Sequence, residues 1–332
     1  MRIVVLPPQG VTFSQDSAWN ALLTGLVDRG HDVQGYGYRG GDIDALVSLN
    51  DQPDARELLG RVDRGNACVI VLEPRVTSPT MYRSGALGRY GLRFAASPVW
   101  ARALDAIPFP WPQDLDAVGP LKISQSAPPF VASLINADKR SAVGGSLYGL
   151  RREVIAAFDG ADVPLAVFGP GWDAPVAVRL RQGVRATAKA LHARVKPHLR
   201  EALARPGIRP SHAQGAVAEK SEAFAVAPVS IIIENSADYV SEKLVDAIVA
   251  GVVPVYVGPS LSAFGLPEEL AVPSPPTADG VLDTVRSMSA QRADEVRLAG
   301  RAWISSDSAK DHEIRAVLRT LGQSIADRLN SP

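Results

Sequence analysis

The stretch 229–259, VSIIIENSADYVSEKLVDAIVAGVVPVYVGP, limits the fold of this chain more than any other. It opens on the β-branched run Val229 to Ile233, set between Pro228 and the polar Glu234-Asn235-Ser236, which predicts a short strand buried on both faces. Val240, Leu244, Ala247 and Ile248 then recur at helical spacing, and Gly251 supplies a stop. A second buried run, 252–257, completes a strand–loop–helix–strand unit. Two strands joined in this way pair in parallel through a right-handed crossover. The loop 234–241 therefore sits at a strand's carboxyl end, where open α/β sheets bind ligands.

The residues of that loop carry more specific chemistry. Free backbone N–H groups at a helix start favour an anion such as a diphosphate. Lys243 adds a full positive charge, and Asn235 and Tyr239 offer neutral hydrogen-bonding groups. Glu242 would repel a phosphate, so it needs another task, and accepting hydrogen bonds from sugar hydroxyls suits it. A plainer account has Glu242 favoured by the helix dipole and Lys243 in solvent.

With 332 residues, 46% hydrophobic and 21% charged, the chain suits two soluble α/β domains, each with its own core. A formal net charge of zero removes the electrostatic case for nucleic acid. The single cysteine, Cys68, lies in the apolar run 67–72, which excludes a disulfide framework and fits a reducing compartment. The opening MRIVVLPP is too short for a signal peptide, and the longest apolar run, 247–257, is too short for a membrane span. A cytoplasmic protein is expected.

Along the chain, 2–6 reads as the first strand, and Ser17 as the cap of a helix 18–29 with Leu22, Leu23, Leu26 and Val27 inward. Pro7-Pro8-Gln9-Gly10 offers no glycine fingerprint for a dinucleotide. The buried run 67–72 ends at Glu73-Pro74-Arg75, which places Glu73 at a strand's carboxyl end, and a strand near 92–96 follows. The proline-rich stretch 108–129 reads as a hinge, 130–135 as a strand, 136–146 as a polar loop and 151–158 as a helix. A strand and a glycine turn occupy 164–172.

From 176 to 200, apolar Val176, Leu180, Val184 and Leu191 alternate with basic Arg179, Arg181, Arg185 and Lys189 at helical spacing. A solvated helical insertion packed on its domain is the first expectation, and contact with an anionic membrane or acceptor the second. A short strand at 270–272 and helices over 280–302 and 311–329 close the chain. The triplets Asp42-Ile43-Asp44 and Asp114-Leu115-Asp116 read as surface acids, and the five histidines show no ligand spacing, so no metal site is expected.

The sequence ENS, then DYVSEKL, then AGVVPVYVGP resembles the donor-site signature of the family 10 α-1,3-fucosyltransferases. The segment 130–172 is similar to the same family's phosphate-arginine region, and VLEPRVTSPTMY with IPFPWP resembles its acceptor domain more loosely. Here the gap between ENS and DY is short, and Ser241 stands where threonine is usual. The resemblance implies an α/β GT-B fold, with two Rossmann-like α/β/α domains facing across a cleft. The expected divisions are an acceptor domain 1–118, a donor domain 119–310 with a basic helical insertion about 175–215, and a terminal helix 311–332 packing back on the first domain.

It further implies an inverting transfer of fucose from GDP-fucose to a hydroxyl of a glycan or glycolipid. Glu73 matches the general base and Glu242 the second catalytic acid; Arg151, Asn235, Tyr239 and Lys243 match donor-binding positions. No cofactor is required by this mechanism, although Mn²⁺ stimulates some relatives. Another nucleotide sugar in the same fold, or nucleotide-sugar binding without turnover, stands as the alternative. The acceptor is not readable from the residues.

Overall fold

A computed structural model of the chain describes residues 1–7, 17–35, 41–116 and 130–330. The chain divides into two compact units, Met1–Gln113 together with Asp307–Pro332, and Asp114–Ser306. Most of the expected hinge, residues 117–129, and the loop after the first strand lie outside the described residues.

The first unit is built on β1 (Arg2–Leu6), β2 (Asp32–Gln34), β3 (Ala45–Leu49), β4 (Ala67–Val71), β5 (Leu92–Ala95) and β6 (Ile107–Pro108). They form one sheet in the order β2-β1-β3-β4-β5-β6, parallel at every pairing. Strand β3 is absent from the sequence-based expectation. Its run ALVSL is short and carries a serine, yet all of it is buried, with the Ser48 hydroxyl satisfied by the Asn50 carbonyl at 2.6 Å.

The core of this unit joins Val5, Val47, Ile70 and Phe94 to Leu22 and Leu26 of the helix Asn20–Val27 and to Leu318, Leu321 and Ile325 of the helix Ile314–Leu329. Those two helices cross at a pair of glycines. A methyl group on Gly25 would strike the Arg319 carbonyl, and one on Gly322 the Leu22 carbonyl, so only hydrogen lets the backbones approach. Arg29–Asp327 at 2.7 Å and Arg319–Asp28 at 2.8 Å flank the crossing, on the solvent side.

The second unit holds β7 (Ala132–Ile135), β8 (Leu165–Phe168), β9 (Ala213–Gly215), β10 (Val229–Ile233), β11 (Val253–Val257) and β12 (Val272–Pro273). Its sheet runs β12-β11-β10-β7-β8-β9, again all parallel. Strands β10 and β11 are buried throughout, as expected of β-branched runs covered on both faces. Ile231, Ile233 and Val255 meet Val154, Ile155 and Phe158 of the helix Tyr148–Gly160.

The helix expected over 280–302 is two helices, Ala278–Arg286 and Ala290–Ile304. Ser289 breaks the run because its hydroxyl accepts the Arg292 N–H at 3.1 Å and starts the second helix. No helix among the described residues is long and apolar enough to cross a membrane.

Candidate functional site

The strand order of the second unit selects the site. From β7 the chain winds outward through β8 and β9 on one side, then returns to β10 on the other and winds away through β11 and β12. The loops after β7 and β10 therefore leave toward opposite faces, and the crevice between them is the switch point at which such sheets bind ligands.

Those two loops are tied together. The Leu147 N–H donates to the Asn235 carbonyl at 3.0 Å, and Ser146 and Ser236 form an isolated antiparallel bridge. Arg151, in the first turn of the helix Tyr148–Gly160, donates Nε and Nη2 to the Ile233 carbonyl at 3.2 and 2.6 Å and Nη2 to Asn235 Oδ1 at 3.1 Å. Its guanidinium lies over the Tyr148 ring at 4.8 Å. Arg151 is buried, and burial lowers its pKa to about 10. This residue is thus a cation at the switch point that also carries a structural load.

The next loop delivers the helix Glu242–Ala250, which stops at Gly251 with φ of 77°, the left-handed position a glycine accepts most readily. Lys243 Nζ bonds Glu242 Oε1 at 3.0 Å. Lys220, from the helix Lys220–Phe224, reaches Asp246 Oδ2 at 2.5 Å. Burial by itself would raise the Glu242 pKa, but Lys243 and Lys220 outweigh it and hold the carboxyl down at about 2. Glu242 is therefore an anion throughout the physiological range. Tyr239 is buried beside this turn.

Glu234, the last residue before the loop, is a site residue that the sequence reading passed over. It is 1% exposed, and one oxygen accepts the Ser241 N–H at 2.9 Å, which takes up a free donor at the helix entrance. Its other oxygen and the buried Tyr256 hydroxyl have no partner among the described residues. Gly258 makes room for both, since a methyl group there would meet Tyr256 Oη and lie 2.9 Å from Glu234 Cγ. The available signal was an acid placed directly after a fully buried, mostly β-branched strand.

Burial raises the Glu234 pKa from 4.5 to about 7, against the pull of Lys243 and the Ser241 N–H. A carboxyl raised in the folded state stabilises the fold below its unfolded value and loses that contribution as the pH climbs through about 7. Glu234→Gln keeps the acceptor for Ser241 and removes the ionisation. The variant is expected to match the wild type near about pH 4 and to be more stable by about 2–3 kcal/mol near about pH 8.5. Denaturant titrations at the two pH values check this, and equal differences at both would refute it.

In the first unit, Glu73 follows β4 at the carboxyl edge and is half-buried. Its carbonyl accepts the Tyr82 hydroxyl at 2.9 Å, while Thr77 and Ser78 both donate to the Pro74 carbonyl at 2.9 Å, so the loop has a defined turn. The overlooked strand β3 adds two neighbours to that edge. Asn50, with φ of 65°, accepts the Leu72 N–H at 2.9 Å, and Asp51 accepts the Tyr90 hydroxyl at 3.0 Å. The structure thus gathers Arg151, Asn235, Tyr239, Glu242 and Lys243 in one unit and places Glu73 in the other.

A cavity of about 320 Å³ in the first unit, lined by Phe94, Ile107, Phe109, Val317 and Leu321, contains none of these six residues. Among the described residues no group of three or more His, Cys, Asp or Glu could hold a metal. Asp44 accepts the Arg2 N–H at 2.7 Å, and Asp114 accepts the Asp116 N–H at 3.0 Å, so each Asp-x-Asp triplet has a local task.

The basic insertion packs by neither of its two stripes. The helix Val176–His192 forms, but it buries Arg179, Gly183 and Ala190 and exposes Val176, Leu180, Val184 and Leu191. The cause is Asp138, in the loop after β7. Asp138 is 5% exposed, accepts a hydrogen bond from Arg152 Nη1 on Oδ1 at 3.0 Å, and forms an ion pair with Arg179, Oδ2 to Nε, at 3.3 Å. Arg179 also donates to the carbonyls of Trp172 and Ile208, and Arg152 to those of Lys139 at 2.9 Å and Glu201 at 3.2 Å. A buried carboxylate and a ring of carbonyls hold Arg179 inward together with Gly183 and Ala190, while Arg181, Arg185 and Lys189 stay exposed, which the apolar spacing alone does not reveal.

No model of a protein family matches the sequence. No curated protein matches it by sequence either. Solved structures do match the fold. HepE of Anabaena, in complex with UDP and glucose, superposes with a TM-score of 0.58 at 13% identity, over 100% of both chains. Sucrose-phosphate synthase of Thermosynechococcus elongatus gives 0.57 at 12%, over 97% of this chain and 98% of that one. A glycosyltransferase of Rickettsia africae gives 0.54 at 10%, over 100% and 99%. At such identities the likeness is one of architecture, and the chain has the α/β GT-B fold of two Rossmann-like units.

Proposed function

We propose that the chain is an inverting glycosyltransferase that takes a nucleotide diphosphate sugar as donor and a hydroxyl of a glycan or glycolipid as acceptor. The observation that carries this reading is the switch point of the second unit. There a helix entrance, Lys243, Lys220 and the buried Arg151 surround an obligate anion, Glu242. Cations and helix N–H groups suit a departing diphosphate, and an anion among them suits the hydroxyls and developing positive charge of a sugar. In the reaction the acceptor oxygen bonds the anomeric carbon as the bond to phosphate breaks. The proton goes to Glu73 and the nucleoside diphosphate departs.

A donor other than GDP-fucose is the better supported reading, because HepE was solved with UDP, with UDP and glucose, and with UDP-glucose. GDP-fucose is the second reading, favoured by the ENS and DYVSEKL residues around Asn235, Tyr239, Glu242 and Lys243.

Thermal shift with UDP-, GDP- and dTDP-sugars in parallel, followed by consumption of the stabilising donor across an acceptor panel, tests the proposal. One nucleotide sugar should stabilise the wild type and be consumed, and Glu73→Gln should keep the stabilisation while losing transfer. A donor that binds without ever being consumed would leave a nucleotide-sugar-binding protein. No stabilisation by any nucleotide would remove the function altogether.

A further inference from the structure

The helix Val176–His192 is held by the side that carries Arg179, Gly183 and Ala190, and its outer half is divided lengthwise. At about 100° per residue, Val176, Leu180, Leu191 and Val184 fall within one arc of about 80°, and Arg181, Arg185 and Lys189 in a following arc of about 80° that also holds the exposed Val178. The four aliphatic side chains are 44%, 40%, 59% and 64% exposed in that order. Leu203, on the short helix Leu199–Leu203 whose side chain reaches Gly183, is 40% exposed as well. No Asp or Glu occurs between Asp173 and Glu201. Scattered exposed leucines need no explanation, but a continuous apolar stripe bordered by one sign of charge does.

We propose that this face docks on an anionic lipid surface, the aliphatic arc entering the headgroup boundary and the basic arc meeting the phosphates. The division of the outer half is that of an interfacial helix, with an apolar stripe beside a cationic one. A second copy of the chain is the weaker occupant. Closing two such faces on each other would set the basic arc of one against that of the other, with no acid on the segment to relieve the repulsion. The buried Asp138 node and the carbonyl bonds of Arg140 to Ala202 at 3.1 Å and Ala204 at 2.8 Å anchor the insertion from beneath, so the face is presented without unfolding.

Co-sedimentation of the whole protein with vesicles tests this, using phosphatidylcholine alone and an equal mixture of phosphatidylcholine and phosphatidylglycerol. The wild type should bind the anionic vesicles, release from them in high salt, and leave the neutral vesicles in the supernatant. Arg181→Gln with Arg185→Gln should weaken binding about thirtyfold, since each basic residue near such a surface is worth about fivefold. Val184→Ser with Leu191→Ser should weaken it at least about tenfold, with the circular dichroism of the wild type unchanged. Failure to bind anionic vesicles, equal binding to neutral ones, or full binding by both double variants would overturn the proposal. So would a concentration-dependent dimer that Val184→Ser with Leu191→Ser abolishes while vesicles bind nothing.

Discussion

Asp138→Ala is expected to destabilise the second unit by about 3–5 kcal/mol, the cost of leaving buried charge without its partner. Asp138, Arg152 and Arg179 are all nearly inaccessible, and the one carboxylate stands between the two guanidiniums. Burial already lowers the Arg152 pKa, with Asp138 opposing the shift, so removing the acid leaves two desolvated cations facing each other. Carbonyl bonds from Lys139, Glu201, Trp172 and Ile208 persist, yet none of them neutralises a charge. Denaturant unfolding followed by tryptophan fluorescence measures the loss. Arg181→Ala, exposed on the same helix, serves as the reference and should stay within about 0.5 kcal/mol of the wild type. A loss under about 1 kcal/mol for Asp138→Ala would mean that the carbonyls alone secure the arginines.

The second large effect concerns turnover. On the proposed function, Glu242→Gln should lower turnover of the consumed donor by about a hundred- to a thousandfold, the range for removing one preorganised electrostatic group. The free nucleoside diphosphate should bind the variant as tightly as the wild type or more tightly. Glu242 is ionised and bonded to Lys243, so neutralising it releases Lys243 toward phosphate, while Lys220 stays on Asp246. Lys243→Ala should show the opposite split, with nucleotide affinity falling about tenfold or more for the loss of a charged hydrogen bond. Calorimetric titration with the nucleotide and single-turnover assays separate the two. Equal losses of binding and turnover in Glu242→Gln would remove its assignment to the sugar.

The elements legible in advance were those whose signal is contiguous. The runs Val229–Ile233 and Val253–Val257 are apolar and β-branched with polar ends, and Gly251 closes the helix between them. The residues grouped at the switch point lie within a few positions of one another, from Asn235 to Lys243, so a local reading finds them. Arg151 came from matching a motif, and its grip on the Ile233 carbonyl was not readable from spacing. Strand β3 escaped because its run ALVSL has a single β-branched residue, where Val229–Ile233 has four, and its Ser48 hydroxyl is satisfied only once the turn at Asn50 has formed. Glu234 escaped for a related reason. Its burial depends on Tyr256 and Gly258, residues of the next strand and the turn beyond it.

By itself the sequence determined the strands with contiguous β-branched runs, the parallel pairing of Val229–Ile233 with Val253–Val257, and where an anion is welcome. Those properties follow from side-chain pattern and helix ends, which act over a few residues. Only the tertiary structure decided which side of the helix Val176–His192 is inside. Periodicity marks an aliphatic and a basic stripe without showing that the side between them, Arg179 with Gly183 and Ala190, goes inward; Asp138, far upstream, decided that by pairing with Arg179.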